Sequence, residues 1–354
     1  MSGAATASAE PGRSGPPLAA AVRGFFPGYF AVVMATGIVS QAAHFCGHDR
    51  VASVLLWINL AAYGVIWTIT LVRLVLHPGV VRSDLMHHAR GATFLSVVAA
   101  TSVLGSQLVI LSSAQSAGFA LWLLAVSLWV VLIYIFFAAM TIAETKPPLE
   151  TGINGAWLLT VVSTESLCVL GTLVASARPR PEIILFFSLL AYLVGAMLYV
   201  LLMALILYRW LFFSLAADTM TPPYWINMGA LAITTLAGSR LLLSGETWPF
   251  LRHIAVFLEG FTLFFWATAT WWIPLLLLLG FWRHVLQRVP IAYDAQYWSL
   301  VFPLGMYAVA TFMLERATGL TFLAVIPPFV LYPALLAWLL TFAGTLRAAA
   351  RTLF

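Results

Sequence analysis

The chain has 354 residues, of which 62% are hydrophobic and only 8% are Asp, Glu, Lys or Arg. An average soluble domain carries about a quarter charged residues, so this composition excludes a soluble globular protein. The formal net charge of +5 comes from basic residues scattered between apolar stretches, and the lack of a contiguous basic run excludes a nucleic-acid-binding patch.

The two ends of the chain differ in composition from the middle. Residues 1–22 are rich in Ala, Ser, Gly and Pro, which predicts a disordered cytoplasmic N-terminal segment. Residues 23–346 are almost continuously apolar and predict one transmembrane transport domain, followed by a short cytoplasmic tail at 347–354. The first apolar stretch holds about 20 residues, which fits a membrane span better than the shorter apolar core of a signal peptide.

Ten apolar stretches are long enough to cross the hydrocarbon core, which requires roughly 20 residues per helix. The longest uncharged run, from Gly91 to Ala143, must hold two helices with a turn between Ser112 and Gly118. Pro274 would kink the eighth stretch, because proline lacks a backbone donor. The sequence predicts an all-α polytopic membrane protein of ten transmembrane helices in five hairpins, at about 25–44, 51–74, 91–112, 119–143, 154–176, 183–211, 223–243, 252–282, 295–315 and 320–345.

The basic residues are distributed unevenly between the two ends of the predicted spans. An even number of spans places both chain termini on one side, and of the 17 Lys and Arg, eleven fall on that side and six on the other. The positive-inside rule therefore predicts that both termini are cytoplasmic, in a multi-pass protein of the cell inner (cytoplasmic) membrane. The repeated hairpin predicts a quasi-symmetric arrangement of the helices.

Polar and small residues concentrate on the odd-numbered stretches. Polar side chains avoid hydrocarbon, so we expect the odd-numbered helices to surround a central pore and the even-numbered helices to face lipid. The alternative interpretation is that the small residues only allow the helices to pack closely. The predicted pore-lining residues are Thr36, Gly37, Ser40, Thr101, Ser102, Ser163, Thr164, Asn227, Thr234, Thr235, Gly238 and Pro303.

Glu165 lies near the middle of the fifth stretch, beside Ser163 and Thr164. A charged side chain at mid-membrane costs about 2.5–3.5 kcal/mol even on the most lenient scale, so its presence suggests a function. We interpret Glu165 as a candidate proton-coupling site. The alternative is a protonated or hydrogen-bonded residue that joins two helices.

The ninth stretch contains a proline that interrupts its hydrogen bonding. Pro303 cannot donate to the Ser299 carbonyl, which opens the helical ladder next to Phe302. A bulky side chain at such a break would block a narrow passage, so Phe302 is a candidate gate. The alternative is that Phe302 serves ordinary helix packing.

The histidines provide the alternative of another class, an intramembrane metal-binding protein or enzyme. His44 and His48 have a spacing that places two ligands on one helical face, but no third or fourth ligand follows, and His87 and His88 flank a predicted span. We therefore predict no metal site and no cofactor. Walker, dinucleotide-binding and nucleophile-elbow motifs are lacking, so the chain is not predicted to be an enzyme.

Four segments resemble the tellurite-resistance/dicarboxylate transporter family, which includes fungal malate permeases, fungal sulfite efflux pumps and plant slow anion channels. The segments are FPGYFAVVMATGIVS at 26–40, PYWINMGA at 223–230, FFW with WWIP at 264–266 and 271–274, and FPLGMY at 302–307. The resemblance covers nearly everything after residue 24. The sequence departs from the family pattern in its third and fifth stretches, which lack the expected pore prolines and contain glycines instead.

The resemblance implies both an architecture and a function. It implies five hairpins in quasi-fivefold arrangement, with the odd-numbered helices around a pore. A phenylalanine is expected to plug this pore, and Phe302 is its counterpart here. The resemblance also implies assembly as a homotrimer. It also implies transport of a small anionic substrate across a lipid bilayer, either a C4-dicarboxylate such as malate or an oxyanion such as sulfite. Glu165 would add proton coupling, and the alternative is a passive anion channel without it, because a fixed negative charge repels an anion.

Overall fold

The computed structural model describes residues 17–353, and in that range all regular structure is helical. Nine helices of this range are long and apolar enough to cross a membrane. The chain is therefore an all-α multi-pass membrane protein, as the composition predicts. The first predicted stretch forms a shorter unit, in which a four-residue 3-10 turn precedes a 15-residue α-helix.

Ten helices of the described range have 15 residues or more, and we number them in chain order. The turn predicted between Ser112 and Gly118 is confirmed, because Ser113 adopts φ 52° between the third and fourth helices. The helices are α1 (Ala31–Phe45), α2 (Asp49–Leu76), α3 (Ser96–Ser112), α4 (Gln115–Ile142), α5 (Leu159–Ala175), α6 (Pro181–Phe212), α7 (Ile226–Leu243), α8 (Ala255–Phe281), α9 (Trp298–Thr318) and α10 (Ile326–Leu353).

The chain ends are more helical than the composition predicts. Pro17–Arg23 forms a short helix inside the segment predicted to be disordered, and residues 1–16 of that segment lie outside the described residues. The predicted tail at 347–354 continues α10 as far as Leu353. Arg351 lies in the last turn of α10, where positive charge is favourable next to the carboxyl end of a helix.

Each odd-numbered helix begins with a 3-10 turn that leads directly into the α-helix. Two of these turns start with proline, which is well tolerated there because the first backbone N–H groups of a helix have no partner inside it. In two others a side chain caps the turn: Asn154 accepts from the Ala156 N–H at 2.9 Å, and Asp294 accepts from the Gln296 N–H at 2.8 Å. The turns are Pro27–Phe30, Gly91–Leu95, Gly155–Leu158, Pro222–Trp225 and Ala295–Tyr297.

Contacts between helices close a ring of five. Helix α1 packs against α3, α3 against α5, α5 against α7, α7 against α9, and α9 against α1. Each even-numbered helix packs against the odd-numbered helix before it and, with fewer contacts, against the one after it. The ring is therefore an inner layer of odd-numbered helices inside an outer layer of even-numbered ones.

Burial follows the same alternation. In the most apolar window of α3, α5, α7 and α9, 72–94% of the residues are buried, against 22–28% in α2, α4, α8 and α10. Helix α6 is intermediate at 56%. Large apolar side chains such as Trp57, Val131 and Leu340 are exposed on the outer helices, as a surface that faces lipid requires.

Candidate functional site

A cavity of about 490 Å³ lies at the end of the ring where all five inner helices begin. We call this cavity the vestibule. Its wall includes the first turn of every inner helix, represented by Gly28, Thr93, Asn154, Tyr224 and Gln296. A helix amino terminus carries about half an elementary positive charge, and its first N–H groups have no partner within the helix. Five such termini around one space favour an anion there.

Two arginines add positive charge to the vestibule wall. The Arg209 guanidinium, near the end of α6, donates to the Ile153 carbonyl at 3.0 Å and to the Tyr224 hydroxyl. No carboxylate of the described chain forms an ion pair with Arg209, so its charge is not neutralised. Arg90 also lines the cavity and donates to Asp84 at 3.0 Å. The wall thus combines the unneutralised charge of Arg209 with helix amino termini, and it also contains one carboxylate, Asp294, which caps the turn before α9.

His88 lies beside the vestibule but adds no fixed charge to it. Its backbone carbonyl accepts from the Trp157 indole N–H at 2.9 Å, which holds this loop against the start of α5. Partial burial of the imidazole, with the nearby charges of His87 and Lys146, lowers the pKa of His88 below its ordinary value. The shift favours the neutral form of the side chain.

The axis of the ring closes beyond the vestibule. Phe302 and Met34, both inside their helices, belong to the vestibule wall, and Phe302 is only 1% exposed. A separate void of about 10 Å³ follows further along the ring and is lined by all five inner helices, including Ser102, Ser166 and Met306. Such a volume holds about one water molecule at most. Phe302 lines the vestibule and Met306, one turn further along α9, lines the small void, so the two spaces follow one another along the ring.

Among the predicted site residues, Phe302 lines the vestibule and Ser102 lines the small void. Pro303 packs against Gly229 of α7, and Gly37 packs against Asn59 of α2. Ser163 and Thr235 donate to carbonyls of their own helices. Four further predicted pore-lining hydroxyls form hydrogen bonds of 2.7–2.9 Å with outer helices, in the pairs Thr36 with Trp338, Ser40 with the Ala52 carbonyl, Thr101 with Tyr63, and Thr164 with Trp129.

Glu165 is fully buried but belongs to the lining of neither axial space. Its carboxyl lies against Gly195 of α6, where an added β-carbon would come within 2.3 Å of Oε1. Thr234 of α7 is also near the carboxyl, but its hydroxyl donates to the Ala230 carbonyl at 2.9 Å. Within the described chain neither carboxyl oxygen has a hydrogen-bond partner, and the same holds for both amide atoms of buried Asn227.

Most of the vestibule was not predicted from the sequence. Arg90, Arg209, Asn154 and Asp294 are not among the predicted site residues, although all four line the cavity. The sequence did contain a local signal for these residues, because Asn and Asp directly before a helix are typical amino-terminal caps. Such a cap marks the end of the helix at which its free N–H donors lie. This signal could not show that five such ends meet.

The histidines considered as metal ligands have other partners. Nδ1 of His44 lies 2.7 Å from an Asp49 carboxylate oxygen, and the ring of His48 packs against Tyr332. Residues 17–353 bring together no group of three His, Cys, Asp or Glu side chains that could hold a metal ion.

Comparison with known proteins gives a family and several relatives. The model of the family described as voltage-dependent anion channel matches residues 24–346. An uncharacterized membrane protein of Mycobacterium tuberculosis (strain CDC 1551 / Oshkosh) is 39% identical over 156 residues, which span 44% of this chain and 79% of that protein.

Two fungal relatives carry names that state an activity. The malic acid transport protein of Schizosaccharomyces pombe is 21% identical over 309 residues, which span 81% of this chain and 70% of that protein. A sulfite efflux pump of Arthroderma benhamiae is 24% identical over 356 residues, which span 94% of this chain and 93% of that protein.

Proposed function

Because the chain belongs to the voltage-dependent anion channel family, we propose that it moves a small anion across a membrane along the axis of its inner helices. The vestibule is the observation that carries this proposal. Five helix amino termini and two arginines surround one cavity, and Phe302 lines the side at which the axis closes. An anion is stabilised in such a place by charge and by backbone donors together.

The proposed substrate is a C4-dicarboxylate such as malate or a small oxyanion such as sulfite. The names of the two fungal relatives support these two candidates. Carboxylates and oxyanions accept several hydrogen bonds at once, and the Arg209 guanidinium in the vestibule wall is a suitable donor. Selection would then arise from charge in the vestibule and from the width of the axis at Phe302.

Phe302 is the proposed gate. Its aromatic ring is almost fully buried at the point where the vestibule ends, so it must move, or be removed, before an anion can pass. Ser102 and Ser166 line the void beyond it and would offer hydroxyl groups to the anion on the far side.

The proposed orientation places the vestibule on the cytoplasmic side of a cytoplasmic membrane. The excess of Lys and Arg at the end where the inner helices begin supports this orientation through the positive-inside rule. We also propose that the chain assembles as a homotrimer in which each protomer has its own pathway. Transport by the two named relatives supports a transport role without catalysis.

Proton coupling through Glu165 is part of the proposal. An ionisable side chain that is fully buried inside a transporter commonly marks a proton relay. The second candidate is a passive anion channel, which is favoured by the position of Glu165 away from both axial spaces. A passive channel would conduct in response to voltage and would move no protons with the anion.

Anion uptake into proteoliposomes tests the proposal, with malate and sulfite supplied separately and with pH and voltage imposed separately. The Phe302→Ala protein should carry several-fold more anion than the unmodified protein, because the aromatic plug is gone. Phe265→Ala is the matched control, since Phe265 is equally buried but lines neither axial space. Unchanged flux through a correctly folded Phe302→Ala protein would remove Phe302 as the gate, and no flux of either anion through the unmodified protein would remove the proposed function.

A further inference from the structure

We propose that Glu165 exchanges its proton through an off-axis path between α5, α6 and α7, separate from the anion axis. The inference rests on the proposed function and deepens it by assigning the proton and the anion to different parts of the same inner ring. It rests on two buried polar side chains, Glu165 and Asn227, whose polar atoms have no hydrogen-bond partner and which line neither axial space.

Neighbouring residues of α5 show that the two faces of the helix are distinct. Ser166 lines the small axial void, as does Val169 one turn further on. Glu165 points instead to Gly195, which belongs to an outer helix. Glycine at 195 leaves the space that the carboxyl occupies, since a β-carbon there would come within 2.3 Å of Oε1. The carboxyl therefore lies between helices of the two layers.

Helix α7 presents a polar face to the same region. Ile226 lines the vestibule and Ile233 lines the small void, so these residues mark its axial face. A second face of α7 contains residues that are also about one or two turns apart. Thr234 lies about two turns after Asn227, and Gly238 lies about one turn after Thr234. Thr234 is the member of that face that lies next to the Glu165 carboxyl. The polar face of α7 is thus turned to α5 and α6.

Further polar groups continue along the helices from this point. A β-carbon at Gly238 would meet Thr262 of α8 at 2.0 Å and the Tyr192 hydroxyl at 2.9 Å. Tyr192, one turn from Gly195 on α6, shares a hydrogen bond of 3.2 Å with Thr262. Polar side chains therefore extend from Asn227, near the vestibule end, past Thr234 and Glu165 to the pair formed by Tyr192 and Thr262.

The energetic cost of these groups is the reason to assign them a role. In the described residues thirteen buried side-chain polar atoms have no partner, and four of them belong to Asn227 and Glu165. A buried polar group without a hydrogen bond destabilises the fold, and an unpaired carboxylate does so far more strongly. The acid form of Glu165 is therefore the one that fits this closed arrangement. Water that enters between α5, α6 and α7 would satisfy these atoms and accept the proton.

The surroundings of Glu165 contain few other groups that could take its place. The titratable side chains that lie close to it are Cys168 on its own helix and Tyr192 on α6, and Arg240 of α7 interacts with Cys168. Helix α3 contains no titratable residue, and Tyr134, the one titratable residue of α4, is 68% exposed. In the proposed step the carboxylic O–H bond breaks as the proton binds a water molecule on one side to give hydronium, and a hydronium ion on the other side then returns a proton to the carboxylate.

Proteoliposomes that report anion uptake and internal pH together test this inference. Glu165→Gln should retain voltage-driven uptake of malate or sulfite within about twofold and should lose at least tenfold in protons moved per anion. Thr172→Val is the matched control, because Thr172 is a buried residue of the same helix that donates to the Val169 carbonyl and lines neither axial space, so the number of protons per anion should stay unchanged. Asn227→Leu provides a second variant in case Glu165→Gln does not fold, and it should also lower the number of protons per anion.

The outcomes separate the two proposals. An unchanged number of protons per anion in both Glu165→Gln and Asn227→Leu would overturn the off-axis path. Anion uptake by the unmodified protein without any proton movement would also overturn it and would leave the proposed anion pathway intact. Failure of the unmodified protein to carry either anion would overturn the proposed function and this inference with it.

Discussion

Gly229 of α7 lies directly against Pro303 of α9, so that a β-carbon at 229 would come within 2.7 Å of Pro303 Cγ and 3.3 Å of its Cα. This contact joins two inner helices next to Phe302. Because proline is rigid, the neighbour cannot turn aside as a flexible side chain would. The close approach of α7 and α9 at the gate therefore depends on glycine at 229.

Gly229→Ala should accordingly weaken the protein. An overpacked contact of this kind costs about 1–3 kcal/mol, and the separation of α7 from α9 should also change flux at Phe302. The measurement is denaturant unfolding in lipid-detergent mixtures, followed by anion uptake. Gly64→Ala on α2 is the control and should be neutral or slightly stabilising, since nothing lies within 4 Å of a β-carbon there. Equal stability of the two variants would contradict the prediction.

Arg209→Gln should reduce anion uptake by roughly fivefold at low ionic strength. The estimate corresponds to about 1 kcal/mol, the interaction of two unit charges about 4 Å apart in water. The difference from the unmodified protein should shrink as salt is raised, because salt screens the arginine. Arg82→Gln is the control, since Arg82 is exposed and does not line the vestibule. A loss of uptake that is independent of salt would indicate a structural role for Arg209 instead.

Two hydroxyl variants should affect different properties of the protein: Thr36→Val should change its stability, and Ser102→Ala should change its transport. Thr36 accepts a hydrogen bond of 2.9 Å from the Trp338 indole on α10, so its loss should cost roughly 0.6–2 kcal/mol and leave uptake unchanged. Ser102 lines the small axial void, so its alanine variant should alter uptake and leave stability nearly unchanged. Unfolding midpoints and uptake rates measured on both variants check this. Impaired uptake by a stable Thr36→Val protein would argue that Thr36 faces the pathway.

Asp84→Asn should destabilise the loop that carries Arg90. The Asp84 carboxylate pairs with buried Arg73 at 2.5 Å and with Arg90 at 3.0 Å, and the Arg73 side chain is only 5% exposed. Removal of the carboxylate leaves the Arg73 charge buried without an acidic partner, which costs about 3 kcal/mol or more. Thermal unfolding in detergent measures the effect, with Glu144→Gln as the exposed control. Equal unfolding temperatures for the two proteins would show that the ion pairs contribute little.

The layers of this protein could be predicted from the sequence alone, because they depend on the composition of each helix. Length and hydropathy determine that a segment crosses a membrane, and polar content distinguishes a buried helix from one that faces lipid. The turn after Ser112 also depends only on local sequence, since it forms when the backbone of Ser113 leaves the helical conformation. Residues within one segment carry all of this information.

The direction of each polar side chain was decided only by the tertiary structure. Thr101, Thr164 and Thr234 each donate to the carbonyl four residues earlier, so a buried hydroxyl needs no water and does not reveal a pore. The vestibule depends even more on the closed ring, because Gly28 and Gln296, far apart in sequence, line one cavity only when α9 packs against α1. Local sequence determined which helices are buried, and packing between distant segments determined which of their faces surround the axis.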